Sequence, residues 1–123
     1  MSDTFTVGKK LVELCKQNKN VEAVETLYSP HVVSVEAADP KPTEGFEAVL
    51  EKNKSWIAAH EVHHAETEGP WPHGDRFIVR FKYDVTAKEG PMAGHRMQLD
   101  ETALYTVKDG KVTREEFFYH MGA

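Results

Sequence analysis

The apolar positions of the chain follow two rhythms, a helical spacing in its first half and strict alternation in its second. Val7, Leu11, Leu14 and Cys15 fall on one stripe behind a Ser2-Asp3-Thr4 start, which predicts an amphipathic helix of about three turns. Asn18-Lys19-Asn20 interrupts it. Asn20 has the side chain of an N-cap for a short second helix carrying Val21, Val24, Leu27 and Tyr28, stopped by Ser29-Pro30. Residues 31–36 are β-branched and alternating, hence a short strand, and Asp39-Pro40-Lys41-Pro42 reads as a loop too rich in proline for regular structure. Over residues 45–60, Phe46, Val49, Leu50, Trp56 and Ile57 restore the helix period and put Asn53 and His60 on the same face. Residues 62–68 make a polar edge strand, closed by a turn over residues 69–74. Residues 75–86 then alternate, with Phe77, Val79, Phe81, Tyr83 and Val85 on the core face and Arg76, Ile78, Arg80, Lys82 and Asp84 opposite.

After a loop over residues 88–95, residues 96–121 read as one long hairpin with its turn at Asp109-Gly110, since a type I′ turn needs φ > 0 at both central residues. Pairing outward sets Lys108 opposite Lys111 and Val107 opposite Val112. Met97, Leu99, Ala103, Tyr105 and Val107 then share the buried face, and Glu101 lies in the middle of that row. A carboxylate in an apolar row costs free energy unless it is hydrogen-bonded, neutralised or beside water, so Glu101 asks for a functional account. On the returning arm, strict pairing would bury Arg114, Glu116, Phe118 and His120, whereas a β-bulge just after Val112 would bury Phe117, Tyr119 and Met121. The bulge buries fewer charges and is the reading adopted.

With 123 residues, 40% hydrophobic and 28% charged, the chain is expected to form one domain, residues 1–123, with a core that needs no staples. Its net charge of −5 and scattered basic residues argue against a nucleic-acid footprint. The start MSDTFTVGKK has no basic region followed by an apolar run, and no stretch approaches the length of a membrane span, so a cytoplasmic location without membrane contact is expected. The single cysteine, Cys15, sits on an apolar stripe and reads as a core residue rather than a nucleophile. His60-Glu61-Val62-His63-His64 satisfies the H-E-x-x-H pattern, but that metal chemistry needs all five residues on one helix, and here the helix period ends near His60. No metal is therefore expected, and no Gly-rich phosphate loop, nucleophile elbow or C-x-x-C pair suggests a cofactor.

What remains is a pair of carboxylates in unfriendly places. Glu36 ends the first strand and Glu101 interrupts the core row of the hairpin. In a water-poor cavity such groups have raised pKa values, which general acid or base work near neutral pH requires.

The element order, the string Leu27-Tyr28-Ser29-Pro30-His31-Val32-Val33-Ser34-Val35-Glu36 before a Pro-rich loop, the helix start Gly45-Phe46-Glu47-Ala48-Val49, and Tyr105-Thr106-Val107-Lys108-Asp109-Gly110-Lys111-Val112 together resemble the nuclear transport factor 2-like superfamily, within it the SnoaL-like and ketosteroid-isomerase-like proteins. The resemblance implies an α+β cone, a bent antiparallel sheet wrapped over three N-terminal helices, with a pocket at one end. It implies a homodimer paired through the outer sheet face, and a small hydrophobic molecule as ligand. Glu36 matches the position of the isomerases' aspartate base. Their helix tyrosine corresponds to Val12 and the acidic partner of their oxyanion hole to Ala103, so steroid isomerisation itself is not expected. The expected pocket is lined by Val12, Leu27, Asn53, Trp56, Phe77, Val79, Phe81, Tyr83, Leu99, Glu101, Phe117 and Tyr119. Three functions stand open: a cofactor-independent isomerase, cyclase or hydratase with Glu36 as base and Glu101 and Tyr119 (or Tyr83) as donors, a non-catalytic binder using the same pocket, or a purely structural or protein-partner role.

Overall fold

The computed structural model describes residues 3–119. Two helices, α1 (Asp3–Lys16) and α2 (Asn20–Leu27), are followed by strands β1 (Tyr28–Glu36) and β2 (Asp39–Glu44), helix α3 (Phe46–Ala59), and strands β3 (His60–His73), β4 (Arg76–Ala87), β5 (Arg96–Lys108) and β6 (Lys111–Phe118). The strands form one sheet in the order β2-β1-β6-β5-β4-β3. All neighbours run antiparallel except β1 and β6, which are parallel, so the sheet is mixed rather than purely antiparallel.

The hairpin of β5 and β6 has the expected register, Val107 facing Val112 and Lys108 facing Lys111, around Asp109 at φ 52° and Gly110 at φ 76°. The bulge is also where the alternation places it. Val107 pairs with Val112 but Thr106 pairs with Arg114, leaving Thr113 as the extra residue, its hydroxyl donating to the Thr106 carbonyl oxygen at 3.4 Å. Met121 lies outside the described residues.

Several local readings are corrected. The proline-rich segment is not a loop but the edge strand β2, where Pro40 and Pro42 cost no ladder bond that an edge position needs. Asn20 is the first residue of α2 rather than its cap; Lys19 occupies the cap position and offers no side-chain cap bond. The turn over residues 69–74 is narrower than expected, because β3 continues through a bulge at Gly69 and Pro70 and only then turns at Gly74 and Asp75. That irregular stretch receives α1: a Cβ on Gly8 would stand 3.0 Å from Pro70 and 3.1 Å from Phe77, so a glycine there lets the helix reach the sheet.

The core sits between the helices and the concave face, with Leu11, Val24, Val32, Val49, Phe77, Val79 and Val112 essentially inaccessible. Phe77 and Tyr105 stack with ring centroids 4.9 Å apart. The opposite face carries bidentate ion pairs, Arg80 with Asp100 and Arg96 with Asp84. Because Gly110 needs a left-handed backbone, Gly110→Ala should lower stability by about 1–2 kcal/mol. Urea titration checks this through a lower midpoint at unchanged slope.

Candidate functional site

Three strands bring their inward residues into line. Ser34 of β1 lies beside Glu115 of β6, which faces Tyr105 of β5; one step along, Glu36 lies beside Phe117, which faces Ala103. Glu101 follows two residues further out on β5, paired across to Phe81 of β4. Helix α3 closes the space from above with Val49, Lys52, Asn53 and Trp56, while α1 contributes Leu11 and Cys15 and α2 contributes Asn20, Ala23 and Val24. The result is a cavity of about 950 Å³ whose lining also includes His60, Val62 and Lys88.

Of the residues expected to line it, Asn53, Trp56, Phe81, Tyr83, Glu101, Phe117 and Glu36 do so. Tyr119 stands beside it, donating to Oε1 of Glu36 at 2.8 Å and accepting from the Ala38 amide at 3.4 Å. Val12, Leu27, Phe77, Val79 and Leu99 are not on its wall. Val12 is one residue from Leu11, roughly a 100° turn round the helix, and packs into the core instead. Leu27, at the end of α2, packs against the same core. Phe77 and Val79 face inward but belong to the end of the sheet that α1 fills. Leu99 sits across from Tyr83, whose larger ring takes the wall position at that level.

A continuous polar chain runs through the interior. Lys52 Nζ lies 2.7 Å from Oε2 of Glu36 and donates to Oγ of Ser34 at 2.7 Å. Ser34 donates to Oε2 of Glu115 at 2.6 Å, and the Tyr28 hydroxyl donates to the other oxygen of the same carboxylate. Lys52 also lies 5.5 Å above the Phe117 ring. Glu101 has no hydrogen bond to any described side chain or backbone group, whereas Glu36 and Glu115 each have two partners.

Burial sets the proton affinities. It pushes the Glu101 carboxyl up to about 7, with the nearby charge of Glu36 adding to the effect and Lys52 opposing it. Glu115 is also raised by burial, and its bonds from Ser34 and Tyr28 pull the other way. The Tyr119 hydroxyl is pushed up to about 12 by burial and by its bond to Glu36. The Cys15 thiol is pushed up to about 12 by burial and by Glu115, which makes it a wall residue rather than a nucleophile.

Lys52, Ser34, Glu115 and Tyr28 were absent from the sequence-based site. Lys52 was within reach, three residues after Val49 and four before Trp56 on the same helix face. Glu115 was too, because any bulge that buries Phe117 and Tyr119 buries residue 115 by the same parity. The H-E-x-x-H string lies wholly within β3, beginning at His60, the residue that caps α3 in an extended conformation. His60 Nδ1 contacts the Trp56 carbonyl oxygen at 2.8 Å, with its ring stacked on Trp56; His63 contacts Thr86 and His64 contacts Glu66. Among the described residues no helix is long and apolar enough to cross a membrane.

Three helices over one face of a six-stranded mixed sheet, with a polar-lined cavity between them, make up a nuclear transport factor 2-like fold, seen also in ketosteroid-isomerase-like structures. The SnoaL-like domain profile matches residues 2–119, and the chain belongs to that family. It is 41% identical to a provisionally named SnoaL-like polyketide cyclase of Mesorhizobium loti, also labelled a carbohydrate phosphatase, over 93% of this chain and 97% of that one, with a TM-score of 0.86. A second provisionally named SnoaL-like polyketide cyclase, from Jannaschia sp. CCS1, is 18% identical over 96% of this chain and 88% of its own, with a TM-score of 0.76. An LEH-like epoxide hydrolase of Mycobacterium tuberculosis is 12% identical over 96% and 83%, with a TM-score of 0.70. The last two similarities concern the fold alone. No curated protein matches the chain significantly.

The raised Glu101 carboxyl has a consequence for stability. Its preference for the proton in the folded chain stabilises fully below the ordinary value of 4.5 and is lost as pH rises through about 7. Wild-type stability relative to Glu101→Gln should therefore fall between about pH 5 and about pH 8, measured by urea unfolding of both proteins in parallel.

Proposed function

We propose that the chain is a cofactor-independent acid/base catalyst for a small, largely apolar substrate bearing a carbonyl or epoxide oxygen, and that its reaction is an isomerisation, cyclisation or hydration. The observation that carries this is Glu101: it faces the same cavity as Lys52 and Glu36 but is bonded to no described residue, so its proton is not tied up in structure. Glu101 takes a proton from an activated C–H or from water, and the substrate oxygen receives an N–H donor from Lys52 as negative charge develops, while Tyr119 stays bonded to Glu36.

This exchanges the roles expected from sequence. Glu36 is ion-paired to Lys52 and hydrogen-bonded by Tyr119, so its oxygens are occupied and it serves as the anchor that holds Lys52. Trp56 and Tyr83, with ring centroids 5.3 Å apart, supply with Phe81 and Phe117 the flat apolar walls that suit a cyclic or unsaturated substrate. The names of the relatives, cyclase at 41% identity and epoxide hydrolase at the level of fold, support proton-transfer chemistry of this kind.

The test is deuterium exchange at the activated carbon of small cyclic ketones and 1,3-dicarbonyls, followed by NMR, with epoxide opening assayed alongside. Wild-type protein should catalyse at least one of these reactions, with kcat/KM rising with pH and levelling above about 7. Glu101→Gln should lose about 100-fold or more in kcat while still binding the ligand by thermal shift. Binding without turnover across the panel would make the protein a binder of small hydrophobic molecules instead.

We propose in addition a homodimer joined through the outer sheet face, where Trp71 and Ile78 form an exposed cross-strand pair and Phe118 is also exposed. Sedimentation should give twice the 13.9 kDa of one chain, and Ile78→Glu should shift it to the monomer.

A further inference from the structure

We infer that Glu115 is a positioning residue for Lys52, acting through the hydroxyl of Ser34. The inference rests on the catalytic reading only for its effect on turnover; the arrangement itself stands on geometry. Glu115 is 5% exposed and Ser34 1% exposed, side by side on the neighbouring strands β6 and β1. A carboxylate in such a place is a poor way to gain stability, since a well-packed apolar residue of similar volume usually does as well or better. Its value lies in what it does to its neighbours.

A serine hydroxyl has one proton. Ser34 gives that proton to Oε2 of Glu115 at 2.6 Å, so only lone pairs remain on the side facing Lys52, whose Nζ lies 2.7 Å away. Lys52 must then direct one N–H at Ser34 and a second at Glu36, 2.7 Å distant. An ammonium has three donors, so one is left for the cavity that Lys52 lines. Tyr28 holds the other oxygen of Glu115 and keeps the carboxylate from turning. Without an acceptor at position 115 the Ser34 hydroxyl rotates freely, its proton competes with that of Lys52, and the ammonium is held by Glu36 alone. The direction of the hydrogen bonds, set at the buried end of the chain, fixes the donor at its working end.

The experiment uses protein labelled with ¹⁵N-lysine, in which the Nζ–H signal of Lys52 is assigned by its loss in Lys52→Arg, and reads the exchange of its ammonium protons with solvent. Ser34→Ala and Glu115→Leu should speed that exchange about tenfold or more, the equivalent of one charge-assisted hydrogen bond. Ser34→Thr should keep wild-type exchange, and so should Glu115→Gln, whose amide oxygen still accepts from Ser34. Tyr28→Phe should change exchange far less than Ser34→Ala. Thermal melts of each variant establish that it is folded, and Ser34→Ala, which removes one atom, decides the matter if Glu115→Leu does not fold. Wild-type exchange in Ser34→Ala overturns the inference, because Glu36 then holds Lys52 unaided. Equal loss in Glu115→Gln and Glu115→Leu overturns it too, because the charge and not the orientation of the hydroxyl would matter. If exchange behaves as expected but no substrate is turned over, the positioning stands and the catalytic reading falls. If a substrate is found, Ser34→Ala should lower kcat more than it raises KM, with recovery in Ser34→Thr.

Discussion

One inserted residue governs the face that β6 shows to the interior. Side chains alternate along a strand, so a shift of one position exchanges its two faces completely. The turn at Asp109 and Gly110 fixes the register at Val107 and Val112, and Thr113 then breaks it. Beyond that point Glu115 and Phe117 point inward beside Ser34 and Glu36, while Arg114 and Glu116 face the other way. Uninterrupted pairing would have put Arg114 and Glu116 against Tyr105 and Ala103 in the core, two charges to bury where the structure has one carboxylate with two hydroxyl partners. The bulge therefore serves stability and the site together, and it does so at the strand that joins the two halves of the sheet, since β6 pairs with β5 on one side and with β1 on the other.

Of the carboxylates that line the cavity, Glu61 and Glu89 are exposed, whereas Glu36, Glu101 and Glu115 are at least partly buried, and Lys52 lines the same cavity. Lys52 touches Glu36 directly and reaches Glu115 through Ser34, so its charge is already shared by two groups before Glu101 is considered. At close range in a medium less polar than water, like charges cannot all persist cheaply. The proton goes to the group with the fewest competing partners. Glu115 is raised by burial but pulled back by its donors, whereas Glu101 meets burial and the charge of Glu36 with no hydrogen-bond donor among the described residues. A titration near neutrality at Glu101 is thus the outcome of an imbalance in the whole cluster, and any change at Glu36 or Lys52 will move it.

How much of this could be read from the sequence depends on the range of the interaction. The hairpin, its turn and its bulge were legible, because turn chemistry and alternation are local. The inward direction of Glu101 followed from the same alternation. The parallel pairing of β1 with β6 was not legible, since it joins residues some eighty positions apart, and with it went the partnership of Ser34 with Glu115 and of Tyr119 with Glu36. β2 was missed for another reason: proline weighs against a strand only where both edges are paired, and nothing local said that this strand would lie at the rim. Phe77 and Val79 share a face with the cavity wall, but which part of that face stays open is decided by where α1 lands, and Gly8 gave no sign of its contact with Pro70 and Phe77.

That division also explains how one fold can carry relatives named as cyclases and epoxide hydrolases. The end of the sheet beneath α1 is tightly packed, with Phe77, Val79, Ala103 and Val107 nearly inaccessible. The other end is spanned by α3, whose Val49, Lys52, Asn53 and Trp56 meet the sheet across a gap instead of filling it. A substitution at this open end leaves the packed end untouched, so the polar groups facing the gap can vary at little cost to the fold. Chemistry in such a protein is set by which of a few inward positions on β1, β5, β6 and α3 are ionisable and by how they pair. Here the pairing ties Lys52 to Glu36 and Ser34, and it leaves Glu101 without a hydrogen-bond partner among the described residues.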